Sequence, residues 1–340
     1  MILSEQEPAR EPQPDRIVSG GADLLSDPIF VLGAPRSFSW LICAMIGQHP
    51  QLCALPETQL FCADTLEEWW IRCEQESFYM QHGLFRAIAE YFFGEQTERT
   101  IELASGWLRR RAHYTTGMVL EELAQRVHPL VLVEKSPSVV YKVEFMDRAL
   151  KMFPQARFIH LVRHPIGHGE SVLETMRELS RSAPLPPFHW LFHLASYPGI
   201  EGGITPAQSS EQPDPQVGWY CLNTNIRTFL GSVQPSRQLL IRGEDLFASP
   251  EESLCRIAEW AALRTDDDAI HVMQHPERCP FACLGPDHAR YGTDLFLAES
   301  PYLHAEKIGP YSLSAPVPWG NGKLTLAPEV QRLAAEFGYS

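Results

Sequence analysis

Four short apolar runs constrain this chain more than any other feature: Pro28–Leu32, Leu130–Val133, Arg157–Val162 and Gln238–Ile241. They are rich in Val, Ile and Leu and do not alternate apolar with polar residues. Strands covered on both faces in a parallel sheet read this way. Helical stretches lie between and after them, at Ser39–Gln48, Ser105–Val127, Val139–Phe153, Gly167–Arg181, Pro250–Ala262 and Ala327–Phe337. The alternation predicts an α/β fold, a doubly wound and mostly parallel sheet flanked by helices. Ligands of such sheets bind at the carboxyl ends of the strands. The segments after Leu32, Val133, Val162 and Ile241 are therefore where chemistry is expected.

No low-complexity linker divides the middle of the 340 residues, so residues 26–340 are read as a single domain. Residues 1–25 are polar, acidic and proline-rich, the composition of a flexible tail. Residues 183–217 are rich in Pro and Gly and interrupt the strand–helix rhythm. A connection this long is expected to be a lid or an acceptor-binding insert, or else a plain surface insert.

A net charge of −14 argues against nucleic acid or an anionic membrane as partner, since both need a basic face. No apolar run approaches the roughly 18 residues of a membrane span, and the N-terminal stretch lacks a charged-then-apolar signal pattern. A cytoplasmic protein is expected. The eight cysteines form no Cys-x-x-Cys pair and the 13 histidines are scattered without a His-Glu-x-x-His motif. Free thiols and no metal are expected.

The first strand runs into Gly33-Ala34-Pro35-Arg36-Ser37-Phe38-Ser39-Trp40 and then an apolar helix. Unpaired N–H groups at a helix start, two hydroxyls and the Arg36 guanidinium can hold a phosphate. A serine-capped turn of no special function reads the same way. The Walker A pattern is absent, which disfavours nucleotide kinases. At the third strand end Arg163 leaves the strand directly, Pro165 is expected to stop an immediate helix, and Ser171 lies eight residues after Arg163. An arginine at a strand terminus and a serine on the next helix can clamp one phosphate from two sides. An arginine paired to a carboxylate is the plainer alternative.

Together these two segments resemble the sulfotransferase superfamily, whose members use 3′-phosphoadenosine 5′-phosphosulfate (PAPS). The likeness continues through "HPQLCALPET", "EKSP", "FPQARFIHLVRHP", "RQLLIRGEDLFASPEESLCRIAEWAAL" and "LAAEFGYS", from about residue 28 to the end, with the insert unmatched. It is closest in flavour to bacterial members, including those of polyketide assembly lines. The resemblance implies that Arg36, Ser37, Phe38, Ser39 and Trp40 hold the 5′-phosphosulfate, and Arg163 and Ser171 the 3′-phosphate. It also implies PAPS as co-substrate without a metal, and a small-molecule or acyl-carrier-bound acceptor. Two features depart from the family. The usual loop resembles PRSGTT, and Phe38 replaces its glycine. If that position needs φ > 0, Phe is strained; the reading preferred from sequence is that only a close backbone N–H is needed, with the ring turned away. No C-terminal Arg-Lys-Gly motif is present either, and Arg290 in "LGPDHARYGTDLFL" is the nearest nucleotide contact to suggest.

Sulfuryl transfer needs in-line positioning, charge stabilisation on the leaving group and a base for the acceptor proton. Glu57, in "LPETQLF", is the candidate base, as in the family branches that use Glu; capping a helix near Thr58 is the alternative. Lys135 is the candidate for neutralising the leaving oxygen, with a structural ion pair as its alternative. His160 reads as a core residue, while His164, His168, His189 and His193 are further candidates at the mouth. Arg177, on the helix after Ser171, could hold an anionic acceptor, but it suits a solvated helix face better. Glu244 and Asp245 could orient cations of the site. The competing function is a nucleotide-binding protein that has lost transfer, for which Phe38 is the best support.

Overall fold

The computed structural model describes residues 27–76, 78–182, 214–293, 308–320 and 324–340, with residues 302 and 322. The predicted tail and most of the insert, with His189 and His193, lie outside the described residues. Five parallel strands form one sheet: β1 (Ile29–Leu32), β2 (Leu52–Ala54), β3 (Val131–Glu134), β4 (Arg157–Val162) and β5 (Gln238–Arg242), in the spatial order β2-β3-β1-β4-β5. The four predicted strands are all present. The short β2 was not foreseen, because three residues after a His-Pro turn carry almost no period.

Side-chain alternation along β1 builds a core on each face. Phe30 and Leu32 join one cluster with Phe158, Leu132 and Phe61, while Ile29 and Val31 join another with Val133, Ile159 and Leu161. The second cluster takes in α1 (Ser39–Ile46), all eight of whose residues are buried. A helix apolar on every side belongs inside a protein. β5 departs from the prediction: its burial alternates, as on an edge strand with one covered face.

The stretch read as one helix over Ser105–Val127 is two, α4 (Glu98–Arg109) and α5 (Thr116–Val127), following α2 (Leu66–Glu76) and α3 (His82–Phe93). Thr115 ends the continuity: its side chain caps α5 by accepting from the Met118 N–H. A short turn, Pro137–Val140, precedes α6 (Val143–Met152). Pro165 does not delay a helix but begins α7 (Pro165–Ser182), since the first helical position needs no N–H. The helix Pro215–Leu230 begins inside the stretch assigned to the insert, with Asp214 capping Gln216 N–H. The Asp-Pro pair that signals such a start was present in the sequence.

β1 lies between β3 and β4, which are reached by opposite crossovers. Its carboxyl end is the topological switch point, where the connections diverge and open a crevice. Gly33 leaves β1 there against β4, and a Cβ would sit 2.9 Å from the Leu161 carbonyl oxygen. No described helix is long and apolar enough to cross a membrane.

Candidate active site

The loop from Gly33 to Phe38 curls because two of its residues are left-handed, Arg36 at φ 71° and Phe38 at φ 62°. Left-handed residues in a turn direct successive N–H groups into one concavity, a shape suited to anions. Phe38 is the N-cap of α1, and no side chain caps that helix or places an acid in its first turn. The helix start keeps its unpaired N–H groups and positive dipole end. Ser37 is 1% exposed, and its hydroxyl oxygen has no hydrogen-bond partner among the described residues. A buried hydroxyl with nothing to bond is costly unless something binds there. The Trp40 indole nitrogen is also buried and unpartnered.

Phe38 corrects the sequence reading in one respect: the position does demand φ > 0. A side chain there costs on the order of 1 kcal/mol. The ring packs at 4.7 Å from the Phe247 ring, and the Arg163 guanidinium lies 4.0 Å above its centroid. Gly243 makes room for it, since a Cβ there would come within 2.5 Å of the ring. The ring is held among Arg163, Gly243 and Phe247.

Arg163 extends from β4 to the same loop. It is 7% exposed, and its Nη1 donates to the Arg36 carbonyl at 2.8 Å. Arg36 Nε in turn donates to Ser171 Oγ on α7 at 3.2 Å. The structure therefore joins Arg36, Arg163 and Ser171 in one cluster. The expected alternative, a carboxylate pair for Arg163, is not what is found: among the described residues no ion pair is made, and Nε is buried without a partner. Glu244 accepts instead from His164 N–H at 2.8 Å and Tyr339 O–H at 2.7 Å, and Glu170 from Tyr311 O–H at 2.7 Å. Burial lowers the guanidinium to about 10, with Glu244 opposing and Arg36 adding to the shift. A cation this enclosed is waiting for negative charge.

On the other side of β1, β3 delivers Glu134, Lys135 and Ser136. Lys135 Nζ donates to Glu57 Oε1 in an ion pair, Lys135 nearly buried and Glu57 partly exposed. Among the described residues the second Glu57 oxygen has only a long contact, 3.5 Å, from Gln59 Nε2. The two residues proposed separately for chemistry thus form one unit. It lies alongside α1, where its charges bear on the buried Cys43 thiol, which burial holds well above its ordinary value. Glu57 is not the cap of the described helical turn that follows, Leu60–Cys62, whose N-cap is Gln59; its N–H donates to the Gly292 carbonyl at 2.8 Å.

Glu134 is a participant the sequence reading missed. It is fully buried, and its Oε1 accepts from Thr58 Oγ1 at 2.9 Å and from Ser136 Oγ. Ser136 Oγ accepts from the Gln59 N–H at 2.9 Å. The network fastens the loop carrying Glu57 to the end of β3. Only the quoted run "EKSP", with an acid before its lysine, pointed to it. Burial raises Glu134 from 4.5 to about 7, against the pull of Ser136, Thr58 and Lys135. Its folded-state value lies above the unfolded one. Its stabilising contribution is therefore complete below about 4.5 and is lost as pH rises through about 7. Glu134→Gln keeps an acceptor for both hydroxyls and removes the loss. Melting curves between about pH 5 and about pH 8 should show the variant gaining on the wild type as pH rises; a constant offset would contradict this.

The histidines divide. His160 is a core residue, bonded to Asn223 at 3.0 Å and lowered to about 4 by burial. His168 is not at a mouth but fully buried behind the loop, lowered to about 3 by burial and by Arg163; the Pro35 carbonyl is near, but neither ring nitrogen has a hydrogen bond of good geometry. His164 accepts from Ile166 N–H at 3.2 Å, stacks on Tyr311 and is lowered to about 4 by burial. Arg177 is exposed on α7. Asp245 pairs with Arg242, at 2.7 and 2.8 Å. Arg290 is half-exposed, 3.9 Å from Asp287, after a turn packed on α3 and α4; two residues on, the Gly292 carbonyl accepts from the Glu57 N–H. Among the described residues no His, Cys, Asp or Glu group could hold a metal ion.

Comparison with known proteins bears on the fold and the family. The chain shares its fold with the solved sulfotransferase domain from the curacin biosynthetic pathway, at TM-score 0.68 and 23% identity over 93% of this chain and 99% of that one. A second solved structure, the sulfotransferase domain from the Synechococcus PCC 7002 olefin synthase, gives 0.66 and 20% over 97% and 99%. A search of curated proteins gave no match. The sequence model described as "Sulfotransferase family" matches residues 28–267, a span that holds the β1 loop, the Glu57–Lys135 pair and the Arg163 clamp, and the chain belongs to that family.

Proposed function

We propose that this protein is a PAPS-dependent sulfotransferase that sulfates a hydroxyl of a small-molecule or carrier-bound acceptor, with Glu57 as base. The observation that carries the reading is the pairing of two buried, unpartnered groups, Ser37 Oγ and Arg163 Nε, with an uncapped helix start at the switch point. Such a site fits a ligand with more than one anionic group. The loop from Arg36 to Trp40 takes the 5′-phosphosulfate, and Arg163 with Ser171 takes the 3′-phosphate.

PAPS, when bound, supplies the sulfuryl group. The chain's own part is to hold the acceptor oxygen in line and to take its proton at Glu57 Oε2, the oxygen not engaged by Lys135. Lys135 orients that carboxylate and brings positive charge to the side of β1 where the leaving oxygen gathers electrons. The carrier-bound acceptor comes into the proposal from the biosynthetic origin of the two solved domains. The competing reading, binding without transfer, leans on Phe38, whose ring packs against Phe247 and the Arg163 guanidinium.

The test is to incubate the protein with PAPS and hydroxyl acceptors, free and carrier-bound, and to measure release of 3′-phosphoadenosine 5′-phosphate (PAP) and sulfated product together. Matched formation of both supports transfer. Tight PAP binding with no product from any acceptor would favour the binding protein.

A further inference from the structure

Phe38 sits where the family's loops usually have glycine, and a left-handed phenylalanine is retained at a cost that glycine would not incur. What the ring touches explains its presence. One face carries the Arg163 guanidinium, 4.0 Å from the ring centroid. The edge meets Gly243, where a Cβ would come within 2.5 Å, and Phe247 packs beside it at 4.7 Å. The ring is clamped, so its face is a fixed platform.

Arg163 needs such a platform. It is nearly buried, makes no ion pair among the described residues, and spends one N–H on the Arg36 carbonyl while Nε stays unpartnered. The two carboxylates nearest it in charge, Glu244 and Glu170, are engaged by other donors. A long side chain without a charged partner would otherwise be free to take several rotamers, and ordering it on ligand binding would weaken that binding. An aromatic face attracts a guanidinium without neutralising it. It can therefore hold the cation in place and leave its charge and its Nε for an incoming anion.

We infer that Phe38 is a positioning residue, which replaces the loop glycine in order to pre-set Arg163 for the nucleotide's 3′-phosphate through its ring face, with Gly243 as the space that permits it. This rests on the reading of Arg163 as the 3′-phosphate clamp. A carboxylate in place of the ring would order Arg163 equally well and would compete with the phosphate; the ring does not.

The experiment is calorimetric titration of the full chain and its variants with PAP and with AMP, which lacks the 3′-phosphate. Phe38→Leu and Phe38→Tyr both keep a side chain in the left-handed position, so they share its strain; only Tyr keeps the ring face. Phe38→Leu should weaken PAP binding by about 3- to 30-fold and change AMP binding by less than about twofold. Phe38→Tyr should keep the wild-type PAP-to-AMP ratio. Phe38→Gly relieves the strain but loses the platform, and should resemble Phe38→Leu in that ratio. A wild type that prefers PAP, with a Leu variant that keeps the preference, would overturn the proposal alone. PAP binding by Phe38→Gly as tight as that of the wild type would do the same, leaving the ring a mere plug. A wild type that fails to distinguish PAP from AMP would overturn the 3′-phosphate reading and the proposal with it.

Discussion

Glu57→Gln is expected to lower turnover by about 10²- to 10⁴-fold, the usual contribution of a positioned base, while PAP affinity changes by less than about twofold. Gln preserves shape and still offers an oxygen to Lys135 Nζ, so the ion-paired unit loses its ability to take a proton more than its geometry. The buried anchors of the loop, Thr58 to Glu134 and Gln59 to Ser136, are untouched. PAP release from PAPS with a working acceptor measures the first quantity, and calorimetry the second. Turnover near wild type would move the base elsewhere. His164 would then be the next residue to test, because its Nε2 is unpartnered and burial keeps the ring neutral.

Arg163→Ala is the second large effect. A charge-assisted, largely buried grip on phosphate is worth about 2–3 kcal/mol, which corresponds to about 30- to 150-fold weaker PAP binding. The stability readout separates this from a structural role. An arginine that holds the fold together through a buried ion pair costs several kcal/mol when removed, because its partner is left charged and alone. Arg163 has no such partner among the described residues, where the N–H that its guanidinium gives to the Arg36 carbonyl is the side chain's one hydrogen bond. The melting temperature of Arg163→Ala should therefore stay close to that of the wild type, or rise, while affinity collapses. A large fall in melting temperature would make Arg163 a structural residue.

Much of the frame was legible because parallel strands buried on both faces are apolar throughout, and such runs stand out from their surroundings. Strand termini followed directly: Arg163 had to emerge beside Gly33 once β4 was placed next to β1. The conformation at Phe38 was not legible in the same way. Its ring is seated by Gly243 and Phe247, which are remote in sequence and local only in space. The Glu57–Lys135 contact was hidden for a similar reason: it joins the loop after β2, a strand too short to show a period, to the end of β3. Glu134 escaped notice because a single acid at a strand end carries no sign of burial until the Thr58 and Ser136 hydroxyls are seen to converge on it. The split between α4 and α5 was masked by an amphipathic pattern that runs across the turn, and only the Thr115 cap marks the break. Arg290 was suggested by resemblance alone, and it follows a turn packed on α3 and α4.

The β1 loop and Arg163 are proposed to form one site for a nucleotide with phosphates at both the 5′ and 3′ positions. Calorimetric titration of the purified protein with PAP, with AMP and ATP as controls, tests it most directly. Micromolar binding of PAP that falls at least about tenfold on loss of the 3′-phosphate, a difference of about 1.4 kcal/mol, is the predicted result. Equal binding of PAP and AMP, or binding of neither, would contradict the account and leave the buried Arg163 and Ser37 without the ligand that explains them.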